Sequence, residues 1–154
     1  MKAVNIFVAT NIKGVGKKKG KYIYLLETET SKGLATVHDI KDIEATKDVA
    51  ELSALIAAVA RLKQHPAELN IYVTSEQLKL NIVHYLPGWA KRNFCKADGT
   101  RLSCWVLWKA LWNGTRIFDM RVYNKTHSYS NWLLKELENA ESCVEKRGKN
   151  NAKS

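Results

Sequence analysis

The spacing of apolar residues changes period twice along this chain, and that change decides what it can fold into. Up to residue 40 the spacing is strand-like. Val4, Ile6 and Val8 fall on one face of residues 3–10, with Phe7 on the other. Residues 21–30 read as a second strand, Ser31-Lys32-Gly33 as a hairpin turn, and Leu34 to Ile40 as a third strand. The spacing then becomes helical, with Leu52, Leu55, Ile56, Val59 and Leu62 three or four residues apart and helix-favouring alanines between them. Thr46 and Asp48 are start signals, and His65-Pro66 is the stop. Residues 69–74 are strand-like again. A strand–helix–strand passage places the new strand parallel to an earlier one, whereas the opening hairpins are antiparallel. The sheet is therefore expected to be mixed.

The remainder completes the pattern. Ser75 is placed to cap a helix through about His84, which Pro87-Gly88 interrupts. A loop rich in Lys, Arg and aromatic residues leads to a helix near Ser103–Leu111. Trp105, Trp108 and Trp112 on that helix have core spacing. Asn113-Gly114 reads as a turn, Ile117–Tyr123 as the fifth strand, and Ser130 as the cap of a last helix ending near Ser142. The expected class is α/β, an α+β arrangement on a five-stranded mixed sheet, in the order β-β-β-α-β-α-α-β-α. Residues 1–144 form one domain, and 145–154 a basic tail expected to be disordered, since Ala152 is its single apolar residue.

Charge narrows the function. Lys and Arg number 25 against 15 Asp and Glu, a net charge of +10, and the cations of the tail removed still leave about +6. Nucleic acid is the first partner to expect. A protein partner comes second, and a membrane is not expected, because no apolar run approaches the roughly 18 residues that would span one. Cys95, Cys104 and Cys143 are odd in number and form no Cys-x-x-Cys pair, so no zinc site and no other cofactor is expected. Free thiols point to a reducing compartment, cytoplasm or nucleoid or nucleus, rather than secretion. Residues 13–21, Lys-Gly-Val-Gly-Lys-Lys-Lys-Gly-Lys, lack the spacing of a nucleotide-binding P-loop, and a strand follows them.

Several segments resemble the type 1 ribonuclease H family over about residues 3–140. Asn5-Ile6-Phe7-Val8-Ala9-Thr10 is similar to the family's first strand, which ends Phe-Thr-Asp-Gly-Ser. Residues 51–59, Glu-Leu-Ser-Ala-Leu-Ile-Ala-Ala-Val, resemble its Glu-Leu-x-Ala-x-x-x-Ala-Leu helix. Residues 71–77 resemble its Ser-Thr-Asp-Ser-Gln step from strand to helix. Trp89-Ala90-Lys91-Arg92-Asn93-Phe94 matches the Trp-x-Lys-Arg-x-Trp of the basic protrusion in bacterial members. The resemblance implies a ribonuclease H-like fold and a partner that is RNA–DNA hybrid, or duplex RNA or DNA. Family enzymes hold two Mg²⁺ ions with four carboxylates. Laid onto this chain, those positions are Ala9, Glu51, Ser75 and Lys135. With one carboxylate left, the resemblance implies a degenerate site, no bound metal and no enzyme, with Lys135 reaching toward Glu51 in place of a metal. Glu76 and Glu136, each one residue along, are not expected to substitute. Inactive copies of this family occur in viruses and mobile elements, an origin compatible with this chain though no residue points to it.

The expected binding surface is then the protrusion, Tyr85, Trp89, Lys91, Arg92, Phe94, Lys96 and Arg101, joined by the lysine loop Lys13, Lys17, Lys18 and Lys19. Thr46 matches a family Thr that helps hold a DNA phosphate, Lys47 adds charge, and Lys125 falls where the family has a loop histidine, two residues before His127. Plainer readings compete: Trp89 and Phe94 as packing residues, Thr46 as a helix start, the lysines as a charged sheet edge. A monomer is expected, and a protein-interaction scaffold or a ribonuclease with a rearranged site are the alternatives.

Overall fold

The computed structural model describes residues 3–62 and 68–152, with side chains described up to residue 141. Strands β1 (Ala3–Thr10), β2 (Lys18–Thr30) and β3 (Gly33–Ala45) are followed by helix α1 (Lys47–Ala60) and strand β4 (Glu68–Tyr72). Then come α2 (Glu76–Leu80), a π-helical turn at Asn81–Tyr85, α3 (Leu86–Lys91), α4 (Trp105–Thr115), β5 (Asp119–Tyr123) and α5 (Ser130–Ala152). The strands form one sheet in the order β3-β2-β1-β4-β5. β1 is antiparallel to β2 and parallel to β4, as the crossover through α1 requires. This is the five-stranded mixed sheet expected from the sequence.

Alternation along β1 divides the core. Val4, Ile6 and Val8 point to the face covered by α1, α4 and the α2–α3 run, where they meet Leu52, Leu55, Leu78, Trp108 and Leu111. Phe7 and Ala9 point to the other face and meet Ile23, Leu25, Leu133 and Leu137, the last two from α5. Each buried Val, Leu, Ile or Phe side chain here contributes about 1.5–3 kcal/mol of hydrophobic stabilisation. Thr46 caps α1, its Oγ1 accepting from the Val49 N–H at 3.3 Å, and Ser75 caps α2, its Oγ accepting from Leu78 at 3.1 Å.

Several local expectations give way. β2 and β3 make a hairpin of 13 residues each, longer than the apolar pattern because charged residues continue the ladder to Lys18 and Ala45. Pro87-Gly88 does not end a helix. The π turn shifts the hydrogen-bond register, so Pro87 falls in the first turn of α3, where its missing N–H costs nothing. β5 starts at Asp119 rather than Ile117, which is exposed. α5 continues as helical backbone to Ala152, past the end expected near Ser142 and through most of the segment expected to be disordered. Adding residues to a helix already nucleated against the sheet by Leu133 and Leu137 is easier than starting one. His65-Pro66 lies outside the described residues.

Asn113-Gly114 is not a turn but part of α4. A Cβ at Gly114 would lie 2.8 Å from Cγ1 of Val59 on α1, so the glycine lets the two helices approach. Gly114→Ala is expected to lower the melting temperature, overpacking at about 1–3 kcal/mol outweighing a propensity gain of about 1 kcal/mol. In a Val59→Ala background the same change is expected to raise it. Thermal denaturation of the four proteins of this cycle checks the reversal of sign.

Candidate nucleic-acid interface

The topology brings five segments to one edge of the sheet. β1, β3, β4 and β5 all end there and β2 begins there. That edge carries the lysine loop, the start of α1, the Thr74–Ser75 turn and the segment after Tyr123. In the loop, Gly14 and Gly16 take φ of +79° and +93°, which glycine adopts without strain. Lys13, Lys17, Lys18 and Lys19 are exposed. Lys18 also closes the loop, its Nζ donating to the Lys13 carbonyl at 2.7 Å. Thr46 is engaged as the α1 cap, so its role as a helix start is established, and Lys47 follows it half-buried.

Glu51 lies on the first turns of α1 and is fully buried. One carboxylate oxygen accepts from the Thr74 backbone N–H at 2.7 Å, and the other from the Thr74 hydroxyl at 2.8 Å. Burial pushes its pKa above the ordinary carboxylate value. The Thr74 hydrogen bonds and the charge of Lys47 oppose that shift, and Asp48 adds to it. The expected approach of Lys135 does not occur. Its side chain is exposed on α5, and the ion pairs among the described residues join Lys21 to Asp42 and Arg121 to Glu68 and Asp119. The reason is that α5 packs on the sheet face opposite α1.

Ala9, buried under α5, and Ser75, buried as the α2 cap, bring no carboxylate to this edge. The carboxylates here are that of Glu51, already bonded at both oxygens, and that of Asp48 one helical turn earlier on α1, beside the hydroxyls of Thr74 and Ser75. Mg²⁺ takes carboxylate oxygens in near-octahedral geometry, and this donor set does not fit a pair of such ions. Glu76 is exposed at the start of α2.

The protrusion sorts into packing and open residues. Phe94 is buried and joins the core, so it is not a ring offered to a ligand. Positive φ angles at Asn93 and Phe94 turn the chain to bury it. Trp89 is half-buried, stacked on Tyr85 with ring centroids 5.8 Å apart and tilted against Trp108 at 5.1 Å. Tyr85 is the exposed end of that stack. Arg101 is tied down, its guanidinium 4.2 Å over the Trp105 ring and its Nη1 donating to the Asn93 carbonyl at 3.0 Å. Lys91, Arg92 and Lys96 are exposed. Cys95 and Cys104 are free thiols.

At the exit of β5 the structure shows a cluster that sequence reasoning missed. Phe7, Tyr72 and Tyr123 stack side by side across three strands, at 4.7 and 5.0 Å, and the Lys125 ammonium lies 4.9 Å over Tyr123. His127 packs on Phe7 at 4.4 Å, and burial lowers its pKa, which favours the neutral ring. Its Nδ1 accepts from the Tyr129 N–H at 3.1 Å, and the Tyr129 hydroxyl donates to Glu27. The signal is strand register, which brings together residues far apart in the chain.

No protein-family model matches the chain. Among solved structures, a type 1 RNase H with a type 2 active-site motif superposes on 90% of this chain and 71% of its own, with a TM-score of 0.69 at 14% identity. The N-terminal RNase H domain of a Mycobacterium tuberculosis protein, solved as a fusion with maltose-binding protein, covers 92% of this chain and 97% of its own, with a TM-score of 0.59 at 16% identity. These likenesses establish the ribonuclease H-like fold. A curated protein from Thiobacillus denitrificans named ribonuclease H is 32% identical over 66 residues, 43% of this chain and 44% of that protein. The chain thus spans less than half of that relative's length. Ribonuclease H of Agrobacterium fabrum is 32% identical over 111 residues, 72% of this chain and 73% of that protein. The expectation of a non-enzyme is corrected here, because curated relatives named for an enzyme point to one. With similarity of this extent to the Agrobacterium protein, the chain belongs to the ribonuclease H family.

Proposed function

We propose that this chain engages RNA–DNA hybrid across the sheet edge that carries the lysine loop and the Glu51–Thr74 turn. The exposed face of the protrusion, Tyr85, Lys91, Arg92 and Lys96, is the second contact. The observation that carries the reading is the clustering of exposed Lys13, Lys17 and Lys19 at the edge where four strands end, within a member of this family. Cations there neutralise phosphates and release counterions, and an exposed ring adds stacking or sugar contact. A foamy viral protease–reverse transcriptase solved with RNA/DNA hybrid shares the fold, with a TM-score of 0.58 over 88% of this chain. The reaction to assay is cleavage of the hybrid's RNA strand, after the name of the curated relatives. No step is assigned to a metal, since the donors at Glu51 do not fit the pair of ions that family enzymes hold.

The test is a titration of labelled hybrid, duplex RNA, duplex DNA and single strands with metal chelated. Hybrid is expected to bind most tightly, by about tenfold over single strands, equivalent to about 1.4 kcal/mol. Equal affinity for all, or none, overturns the reading. The same preparation is assayed for cleavage with Mg²⁺ or Mn²⁺, and turnover lost in Glu51→Gln places the reaction at this edge.

A further inference from the structure

Among the described residues β3 pairs only with β2, so its outer edge is open along 13 residues, with Leu34 and Val37 exposed at 67% and 42%. Ile40 shows which backbone groups face outward. Its N–H is held by Asp39 Oδ1 at 2.9 Å. Opposite Asp42, Lys21 directs its carbonyl to Asn11, away from β3. Ladder groups alternate, so Thr36, His38, Ile40, Asp42 and Glu44 turn N–H and C=O outward.

We propose that a second copy of this chain docks on this edge, β3 against β3, antiparallel and centred on Ile40. In that register Ile40 faces Ile40, Val37 faces Ile43 and His38 faces Asp42. Asp39 faces Lys41 twice, once on each side of the two-fold axis. The two neighbouring registers are repelled at their centres. One sets Asp39 against Asp39, the other Lys41 against Lys41. Charges of this kind on an edge deter foreign strands. Here they match in one alignment of the chain with itself. Asp39 caps the edge in the single chain. On association the Ile40 N–H passes to the Ile40 carbonyl of the second copy, and the Asp39 carboxylate passes to Lys41. The monomer expected from the sequence is then the dilute form.

Sedimentation equilibrium of the full chain, freed of nucleic acid, tests this. The mass is expected to rise with concentration from 17.5 kDa toward twice that value. Asp39→Lys sets lysine against lysine at both pairs, and Lys41→Asp sets aspartate against aspartate. Each alone is expected to raise the dissociation constant about tenfold. An equimolar mixture of the two variants restores opposite charges at both pairs and is expected to associate like the wild type. Circular dichroism melts confirm that each variant is folded. Lys41 is exposed, so Lys41→Asp tests the edge even where Asp39→Lys melts early. A chain monomeric at every concentration overturns the proposal. So does a dimer indifferent to Lys41→Asp, or folded variants whose mixture fails to associate.

Discussion

Glu51→Ala is expected to destabilise the protein by about 2–4 kcal/mol at neutral pH, whereas Glu51→Gln keeps or raises stability. Alanine removes both acceptors of the Thr74 N–H and hydroxyl and leaves a hole under α1. Glutamine fits the same space. Its oxygen accepts from the Thr74 N–H, and its amide nitrogen donates to the Thr74 hydroxyl, which turns from donor to acceptor. It also carries no charge into a buried site. The pH dependence has a definite sign, because burial raises the folded-state pKa of Glu51 above its ordinary value of 4.5. The folded protein then holds this proton more tightly than the unfolded chain. Its stabilising effect is complete below pH 4.5 and is lost as pH rises through the raised folded-state value. Denaturation of wild type and Glu51→Gln side by side, from about pH 4 to about pH 8, is expected to show the variant gaining on the wild type as pH rises. A constant difference across that range shows that the carboxylate is not desolvated as its burial implies.

The second large effect is on binding. Lys17, Lys19, Lys91 and Arg92 are exposed, and none of them forms an ion pair among the described residues. Replacing all four with glutamine is expected to weaken hybrid binding about a hundredfold near 0.1 M salt, and to flatten the slope of log affinity against log salt by about three to four. The melting temperature stays close to that of the wild type, since these side chains bury no apolar surface of the core. The aromatic residues separate differently. Tyr85→Ala is expected to cost about 1–3 kcal/mol of binding if a base stacks on the ring, with little effect on folding. Phe94→Ala acts on folding, by about 3–5 kcal/mol, because that ring is in the core. Fluorescence anisotropy at several salt concentrations, beside thermal melts, distinguishes the two.

What could be read from the sequence alone was what neighbouring residues decide among themselves. The alternation of Val4, Ile6 and Val8 against Phe7 assigns the two faces of β1, since side chains in a strand alternate whatever surrounds them. Thr46 and Ser75 were legible as caps because a cap bonds within its own first turn. That β4 runs parallel to an earlier strand followed from the helical crossover that precedes it, and the structure shows that the partner is β1. The lysine loop was legible as exposed because glycines and lysines leave nothing there to bury. Other features depended on residues distant in the chain. Gly114 was read as a turn because its partner, Val59, is 55 residues away. Pro87 was read as a stop because a π turn is a change of register that no residue type announces. Phe94 belonged by pattern to a basic protrusion, and only the packing of the core beneath it shows the ring turned inward. Glu51 was matched with Lys135 by family position. The structure gives it Thr74 instead, because a buried carboxylate needs donors within hydrogen-bond reach, and α5 presents Lys135 to solvent from the other side of the sheet.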